Sequence, residues 1–418
     1  MTGGRDGGPR RPDVLPGVDP TPSRPPASLR AGASRQGAAL ASVLGGFAAF
    51  YAGLPEGRRA DFLFGNPQEP APLRYVEAIR TAALPDDPER YAYTQSLPEA
   101  VRAVAAGLRE RFGVAFEPED VAMTNGNFAG LSVVLRAIAD PGDAVVYVSP
   151  PWFFYEPLIV AAGMRPVRVA APPPSFDLDV DAVAAALGPE VRAVIVNSPH
   201  NPTGRIYPAG ALDDLAAALE EASARQDRPV YLISDEAYDR IVFDGQAFPT
   251  PVARYPFSFL LYTYAKTLLS PGTRLGYVAM PPTMPGREGL REALLLAQIA
   301  TGWAYPSSIF QHAVPELERM DAGIERLQAR RDLVCGALRD QGYELLVPEG
   351  TFYVMVRSPD PDDRAFCEGL AREDVWVLPG SMFEAPGWFR ISLTGNDDMV
   401  AFALPRFEAA IRGFRAGR

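Results

Sequence analysis

Short apolar runs alternate with helix-like stretches along the middle of this 418-residue chain, and this alternation constrains its fold more than any other feature. Four such runs, each bounded by turn residues, are Ala144–Val148, Ala193–Val196, Val230–Ser234 and Phe259–Thr263. Apolar residues at helical spacing occupy Leu97–Phe112, Ala129–Ala139, Leu178–Leu187 and Leu212–Ala222. Strands buried on both faces form continuous apolar runs, so the pattern predicts an α/β fold. We expect a three-layer αβα large domain around a mostly parallel sheet.

The two ends of the chain differ from this middle region. Residues 1–35 mix Pro and Gly with Arg, which predicts a disordered leader, and a helix is expected near Ser42–Tyr51. After about residue 310 the pattern changes to one helix, Leu317–Leu338, and then to short strands near Phe352–Val356 and Val375–Leu378. We therefore predict a leader, a segment that joins the small domain, a large domain and a smaller α+β domain, over residues 1–35, 36–75, 76–310 and 311–418.

The charge balance argues against a nucleic-acid partner. The chain has 40 basic and 51 acidic residues and a formal net charge of −11, whereas nucleic-acid binders carry basic patches. The N-terminus lacks the apolar core of a signal peptide, and the longest apolar stretch, residues 41–54, is too short to span a bilayer. Two cysteines and two histidines predict neither a disulfide framework nor a metal site. We expect a cytoplasmic protein without a membrane partner.

Polar side chains collect where the predicted strands end. In sheets of this class ligands bind beyond the carboxyl ends of the strands, so these segments are candidates for a binding site. The four segments are Asn125-Gly126-Asn127-Phe128, Asn197–Gly204, Asp235-Glu236-Ala237-Tyr238 and Tyr264-Ala265-Lys266. Together they offer a glycine turn before a helix, an amide, a carboxylate with a phenol, and an amine. Each segment alone is also compatible with an ordinary turn or a helix cap.

The amine is unusual because the 40 basic residues include a single lysine, Lys266, and the rest are arginines. Arginine serves for surface charge and salt bridges, but a guanidinium stays protonated and cannot form an imine. Composition alone leaves two interpretations open, a reactive amine or one ordinary surface lysine.

The joint pattern resembles the class I/II aminotransferases, which are fold-type I pyridoxal 5′-phosphate (PLP) enzymes. The resemblance runs from about Tyr91 to Arg390, and its most specific parts are Asn197–Gly204, Ser234–Tyr238 and the pair Lys266 and Arg274. It implies that Lys266 holds PLP as an imine, which exchanges readily with a substrate amine.

The resemblance also implies roles around the cofactor ring. Asp235 is expected to accept a hydrogen bond from the pyridine nitrogen and hold that nitrogen protonated. Tyr238 and Asn201 are expected to bind the phenolic oxygen of the ring, and Trp152 to stack on its face.

Residues for the phosphate follow from the same resemblance. Backbone N–H groups of Gly126, Asn127 and Phe128 lie at a predicted helix N-terminus, where the helix dipole favours anions. Thr263 and Arg274 are expected to complete the phosphate site.

The resemblance implies that Arg390 recognises the substrate, with its guanidinium bound to the α-carboxylate through a bidentate pair of hydrogen bonds. Gly65 would let the backbone approach the substrate. Tyr93 matches a tyrosine that the family borrows from the neighbouring subunit, so the resemblance implies a homodimer with sites at the interface.

The predicted function is a PLP-dependent aminotransferase that moves an amino group between an L-amino acid and a 2-oxo acid through Lys266. Aromatic residues expected near the pocket hint at an apolar or aromatic amino acid, namely Phe64, Phe128, Trp152, Phe153 and Tyr305. Asn127, Phe128 and Ala265 depart from the usual family residues and leave the reaction type open. The alternatives are PLP-dependent elimination, replacement, cyclisation or oxidation and, more remotely, a non-catalytic PLP-binding module.

Overall fold

The computed structural model describes residues 31–55, 59–84, 87–321 and 323–416, with side chains from residue 38 onward. The helices are Ala31–Ala52 (α1), Leu73–Ala82 (α2), Pro98–Phe112 (α3), Asn127–Ile138 (α4), Tyr155–Ala161 (α5), Val180–Ala186 (α6), Ala209–Gln226 (α7), Tyr264–Thr267 (α8), Arg287–Thr301 (α9), Ser308–Leu317 (α10), Ile324–Asp340 (α11), Asp363–Arg372 (α12) and Asp397–Ala416 (α13). The strands are Ala60–Asp61 (β1), Val121–Thr124 (β2), Ala144–Ser149 (β3), Arg165–Ala170 (β4), Val191–Asn197 (β5), Tyr231–Asp235 (β6), Ser258–Thr263 (β7), Gly276–Ala279 (β8), Leu345–Leu346 (β9), Tyr353–Arg357 (β10), Val375–Trp376 (β11), Leu378–Pro379 (β12) and Trp388–Ser392 (β13).

A seven-stranded sheet with the order β2-β8-β7-β6-β5-β3-β4 forms the centre of the molecule. Strand β8 runs antiparallel to both of its neighbours, and the other pairings are parallel. The register pairs Asn197 with Asp235 and Asp235 with Leu261. The ends of β5, β6 and β7 therefore lie side by side at one edge of the sheet.

Alternate residues of each inner strand face opposite helical layers, which explains the continuous apolar runs. In β5, Ala193 and Ile195 pack with residues of α4, α5 and α9. Val194 and Val196 point to the other side, where they pack with residues of α6 and α7. The predicted α/β architecture with a mostly parallel sheet is confirmed.

The C-terminal part holds a four-stranded antiparallel sheet with the order β12-β13-β10-β9. The N-terminal segment contacts both parts of the molecule. Strand β1 pairs with β11, whereas Phe47 and Phe50 of α1 belong to a core cluster that includes strands of the large sheet. The domain boundaries at residues 75 and 310 stay predictions. No helix among the described residues is long and apolar enough to cross a membrane.

Several details differ from the sequence-based expectations. The predicted helix Leu317–Leu338 is confirmed from Ile324 onward, where α11 lies, but its start is wrong, because α10 ends at Leu317. Gly323 has a φ of 58°, which ends right-handed helical geometry, and its N–H donates to the Asp321 carboxylate. The predicted strand Val375–Leu378 is split between two sheets. The predicted leader lies outside the described residues up to residue 30, and residues 31–35 belong to α1.

Candidate active site

A cavity of about 460 Å³ lies at the edge of the large sheet where β5, β6 and β7 end. It brings together eleven of the thirteen predicted site residues: Gly65, Asn127, Phe128, Trp152, Asn201, Asp235, Tyr238, Thr263, Lys266, Arg274 and Arg390. Gly126 adjoins them, since a Cβ built on it would lie 3.0 Å from the Arg274 guanidinium. Tyr93 lies elsewhere.

Lys266 is positioned by the four-residue helix α8, which follows β7 directly. The Thr263 hydroxyl caps this turn by accepting a hydrogen bond from the Ala265 N–H at 3.3 Å. The Lys266 Nζ lies 5.8 Å from the ring centroids of Tyr238 and Phe352. The chain's only lysine therefore projects into the cavity from a strand end, and the interpretation as an ordinary surface lysine is wrong.

Asp235 ends β6 and is held by two side chains. The Tyr155 hydroxyl donates to Oδ2 and the Asn127 amide donates to Oδ1, each at 2.5 Å, and the Ala237 N–H donates to Oδ1 at 3.3 Å. Burial raises the pKa of Asp235, while these donors and Lys266 oppose that rise. The donors fix the direction of the carboxylate and favour its ionised form.

The loop after β5 positions Asn201 through Asn197. The Asn197 amide donates to the Asp235 carbonyl at 2.8 Å, and its Oδ1 accepts from the Asn201 N–H at 2.7 Å. This arrangement joins the ends of β5 and β6. Burial raises the pKa of the Tyr238 phenol well above its ordinary value, so that this hydroxyl remains a donor.

Arg390 lies in β13 and is buried, with 2 % of its surface exposed. Its Nη1 donates to Asn201 Oδ1 at 3.0 Å and its Nη2 to the Leu63 carbonyl at 2.8 Å. Its Nε is buried without a hydrogen-bond partner. Burial lowers the pKa of Arg390, but a guanidinium remains charged at neutral pH, so Arg390 supplies a buried cation to the lining of the cavity.

Sequence reasoning missed Tyr353, which lines the same cavity. Its ring centroid lies 3.9 Å from the Arg390 guanidinium carbon. Its hydroxyl accepts hydrogen bonds from the Tyr238 hydroxyl and the Gly65 N–H. Burial alone would raise the pKa of Tyr353, but Arg390, Lys266 and these hydrogen bonds together hold it below its usual value. Gly65 is required here, because a Cβ would lie 2.3 Å from the Phe352 ring. A lone tyrosine in a strand gave no signal of this role.

The end of the cavity beside Gly126 and the start of α4 suits an anion. Gly126 has a φ of 82° and precedes the twelve-residue helix α4, whose first N–H groups are free of helical partners. The Thr263 hydroxyl and the Arg274 guanidinium lie 3.6 Å and 3.0 Å from the Cβ that would replace the Gly126 hydrogen. Only glycine leaves this approach open.

Two of the aromatic residues predicted for the site, Tyr93 and Tyr305, do not line this cavity. Tyr93 is 89 % exposed, and its ring centroid lies 5.1 Å from that of Tyr305. Both line a second groove of about 520 Å³ with residues of α9. Tyr305, which was expected near the substrate pocket, does not line the cavity of its own chain, because it follows α9 on the outer surface.

A family model described as aminotransferase class I and II matches residues 61–407. The chain belongs to this family of aminotransferases. It is 31 % identical to an aspartate/prephenate aminotransferase of Thermus thermophilus over 352 residues, which cover 82 % of this chain and 88 % of that protein. It is 29 % identical to an aspartate aminotransferase of Thermotoga maritima, over 82 % and 89 % of the two chains. A solved aminotransferase structure from Eubacterium rectale superposes with a TM-score of 0.81 at 30 % identity, covering 94 % and 96 % of the two chains.

Membership of this family makes the chain a PLP-dependent transferase, and the solved relatives have the same fold. The residues present fit the cofactor. The cavity combines an anion site at a helix N-terminus, a buried carboxylate and an amine at the end of a strand. The buried Arg390 guanidinium, which also lines the cavity, supplies a cation for an anionic substrate. The expectation of a catalytic aminotransferase rather than a non-catalytic module is confirmed.

Substitution of Tyr155 by phenylalanine is expected to shift the acid limb of the kcat/KM profile upward by about one pH unit. A hydrogen bond to a charged group contributes about 1.5–3 kcal/mol, and a pKa unit corresponds to about 1.4 kcal/mol. Without this donor the pKa of Asp235 rises, so Asp235 is protonated at a higher pH and activity is lost earlier on acidification. Rates measured between pH 5 and 9 check this.

Tyr147→Phe is the matched control for Tyr155→Phe. Tyr147 is equally buried, but its hydroxyl donates to Glu156 at 2.7 Å, and Tyr147 does not line the cavity. Its loss is expected to leave the acid limb in place. If the acid limb of the Tyr155→Phe profile stays at the same pH or moves to lower pH, the role given to Tyr155 is contradicted.

Proposed function

We propose that the chain transfers an amino group between an L-amino acid and a 2-oxo acid, with Lys266, Asp235 and Arg390 in the central roles. The observation that carries the proposal is the position of the only lysine, which lies in one cavity with a buried carboxylate and a buried arginine. When bound, the cofactor supplies an aldehyde that condenses with amines and a ring that withdraws electrons from the substrate Cα.

Substrate binding, proton transfer and positioning of the ring nitrogen are assigned to different side chains. Arg390 binds the α-carboxylate and thereby fixes the substrate Cα. Lys266 Nζ, as a free amine, would take the proton from the substrate Cα as general base. Asp235 would hold the ring nitrogen of the bound cofactor protonated, and the Tyr155 and Asn127 donors hold Asp235 in place.

Residues around the cavity would hold the cofactor. The N–H groups of Gly126, Asn127 and Phe128, with Thr263 and Arg274, would hold the phosphate. Asn201 and Tyr238 would bind the phenolic oxygen, and Trp152, which lines the cavity, would stack on the ring. Asn201 also accepts from Arg390, so it links the cofactor site to the carboxylate site.

A homodimer is part of the proposal. The outer surface carries neighbouring exposed apolar side chains on and after α9, and a patch of this kind on a folded chain usually marks an interface. Leu296, Ile299, Trp303 and Tyr305 are its members on and after α9, and Tyr93 joins them through the contact of its ring with that of Tyr305. We propose that a second copy covers this patch and that Tyr93 then lines the neighbouring cavity. A cytoplasmic location is also proposed, since Cys335 and Cys367 are buried as free thiols, which a reducing compartment preserves.

Substitution of Ile299 by aspartate is expected to convert the dimer to monomers and to reduce amino transfer at least about tenfold. A charge buried at an apolar interface is strongly unfavourable, and the monomer would lack the partner's tyrosine. Sedimentation of the holoenzyme checks the mass. Leu333→Asp is the control, because Leu333 is 57 % exposed on α11, away from the patch. A wild-type monomer with full activity would contradict the dimer.

The function is tested with a ¹⁵N-labelled amino acid and an unlabelled 2-oxo acid. Amino transfer predicts that the label appears in the new amino acid and that no labelled ammonia is released. Labelled ammonia as the main product would instead indicate elimination or oxidation and contradict the proposed function.

A further inference from the structure

Aromatic side chains that the roles above do not use form one wall of the active-site cavity. We call Phe47 and Tyr51 of α1, together with Phe64 and Phe153, the aromatic wall; all four line the cavity. Their ring centroids are 5.5 Å apart for Phe47 and Phe64, 4.9 Å for Phe47 and Phe153, and 6.3 Å for Tyr51 and Phe64. The four rings therefore form one continuous surface.

The aromatic wall contains no charge to pair with a charged substrate side chain. Among the described residues, the cations that line the cavity are Lys266, Arg274 and Arg390. Each is committed, to the cofactor aldehyde, the phosphate and the substrate α-carboxylate. A second carboxylate on the substrate would lose its hydration against aromatic rings without gaining a cation from this chain, which is costly.

We propose that the aromatic wall is the side-chain subsite and that the amino donor carries an aromatic ring, as in an arylmethyl side chain. This inference rests on the proposed function, since it assumes that Arg390 holds the α-carboxylate. The wall rings are tilted or edge-on to one another at 32–63°, and aromatic pairs prefer such geometries at 4.5–7 Å. A substrate ring can continue this arrangement and displace water from an apolar surface.

Helix α1 supplies the residue at the centre of the subsite. Phe47 contacts both Phe64, which follows β1, and Phe153, which precedes α5. It therefore joins two segments that are distant in sequence. Specificity is thus expected to depend on an N-terminal helix that carries none of the residues assigned to the cofactor.

Binding is tested first, with acids that lack an amine and cannot react. The dissociation constants of 3-phenylpropanoate and butanedioate are measured on the holoenzyme from the change in cofactor absorbance. Both acids offer Arg390 a carboxylate, and they differ in carrying a ring or a second carboxylate. We expect 3-phenylpropanoate to bind at least about tenfold more tightly. Equal or tighter binding of butanedioate would overturn the subsite and indicate a cation from the second copy.

The half-reaction then tests Phe47. The rate of loss of the cofactor's visible absorbance is compared for L-phenylalanine, L-alanine and L-aspartate without any oxo acid. Phe47→Ala is expected to lower the ratio of phenylalanine to alanine by about tenfold, and Phe47→Leu by less, because leucine keeps apolar volume. Leu40→Ala is the control, because Leu40 is on the same helix but does not line the cavity.

The aromatic subsite and the amino-transfer activity can be contradicted separately. A wild type that prefers L-aspartate, or a phenylalanine-to-alanine ratio that Phe47→Ala leaves unchanged, would overturn the subsite while amino transfer stands. Absence of reaction with every amino acid would contradict the proposed function. The binding ratio of the two unreactive acids would still decide the subsite in that case.

Discussion

Replacement of Lys266 by arginine is expected to reduce amino transfer by at least about 10⁴-fold. Arginine keeps the positive charge and the length of the side chain, but a guanidinium neither forms an imine nor accepts a proton from the substrate Cα. The turnover rate measures the loss. Reduction of the holoenzyme with borohydride followed by peptide mass spectrometry shows where the cofactor was attached.

The single lysine makes this experiment unusually clean. The wild type is expected to carry one cofactor label, on the peptide that contains Lys266, and the variant none. Arg225→Lys is the control, because Arg225 is half-exposed on α7, where it pairs with Glu221 at 2.7 Å. This control introduces a second lysine that should remain unlabelled without loss of activity. Labelling away from Lys266, or activity of Lys266→Arg within tenfold of the wild type, would contradict the assignment.

Substitution of Asp235 by asparagine is expected to lower the turnover rate by about 10²–10³-fold, the usual cost of removing one electrostatic group at a reacting centre. An amide cannot hold the ring nitrogen protonated, so the electrons left at Cα lose part of their stabilisation. Turnover and the cofactor dissociation constant are measured together, because a rate loss at saturating cofactor separates catalysis from binding.

Glu236→Gln is the matched control for Asp235→Asn. Glu236 is the next residue and is fully buried, but its carboxyl accepts hydrogen bonds from Ser234 and Thr250 and does not line the cavity. Burial raises the pKa of Glu236 to about 8, so an amide resembles the form that prevails at neutral pH. This variant is expected to keep its rate within a few-fold. Equal losses in both variants would show that the effect of Asp235→Asn is structural.

The residues at the strand ends could be predicted because the polar side chains directly follow the apolar runs in the sequence. Apolar runs fix β5, β6 and β7, and the polar residues that follow each run necessarily meet at one edge of a parallel sheet. Lys266 and Asp235 could therefore be placed in one site without knowledge of side-chain geometry.

Other parts of the site depend on tertiary packing and could not be predicted in this way. Tyr155 follows Trp152 by three residues, but only the docking of α5 brings its hydroxyl to Asp235. Tyr353 and the aromatic wall residue Phe47 come from β10 and α1, far apart in sequence, and nothing local marks them as cavity residues. Tyr305 does not line the cavity of its own chain, because the packing of α9 leaves this residue on the outer surface.

The absorbance spectrum of the purified holoenzyme, recorded before and after addition of an amino acid without an oxo acid, tests the central claim most directly. We expect a visible band from the cofactor on Lys266, loss of that band with the amino acid, and its return when a 2-oxo acid is added. A protein that cannot be loaded with PLP, or a band that returns unaided while ammonia is released, would contradict the central claim.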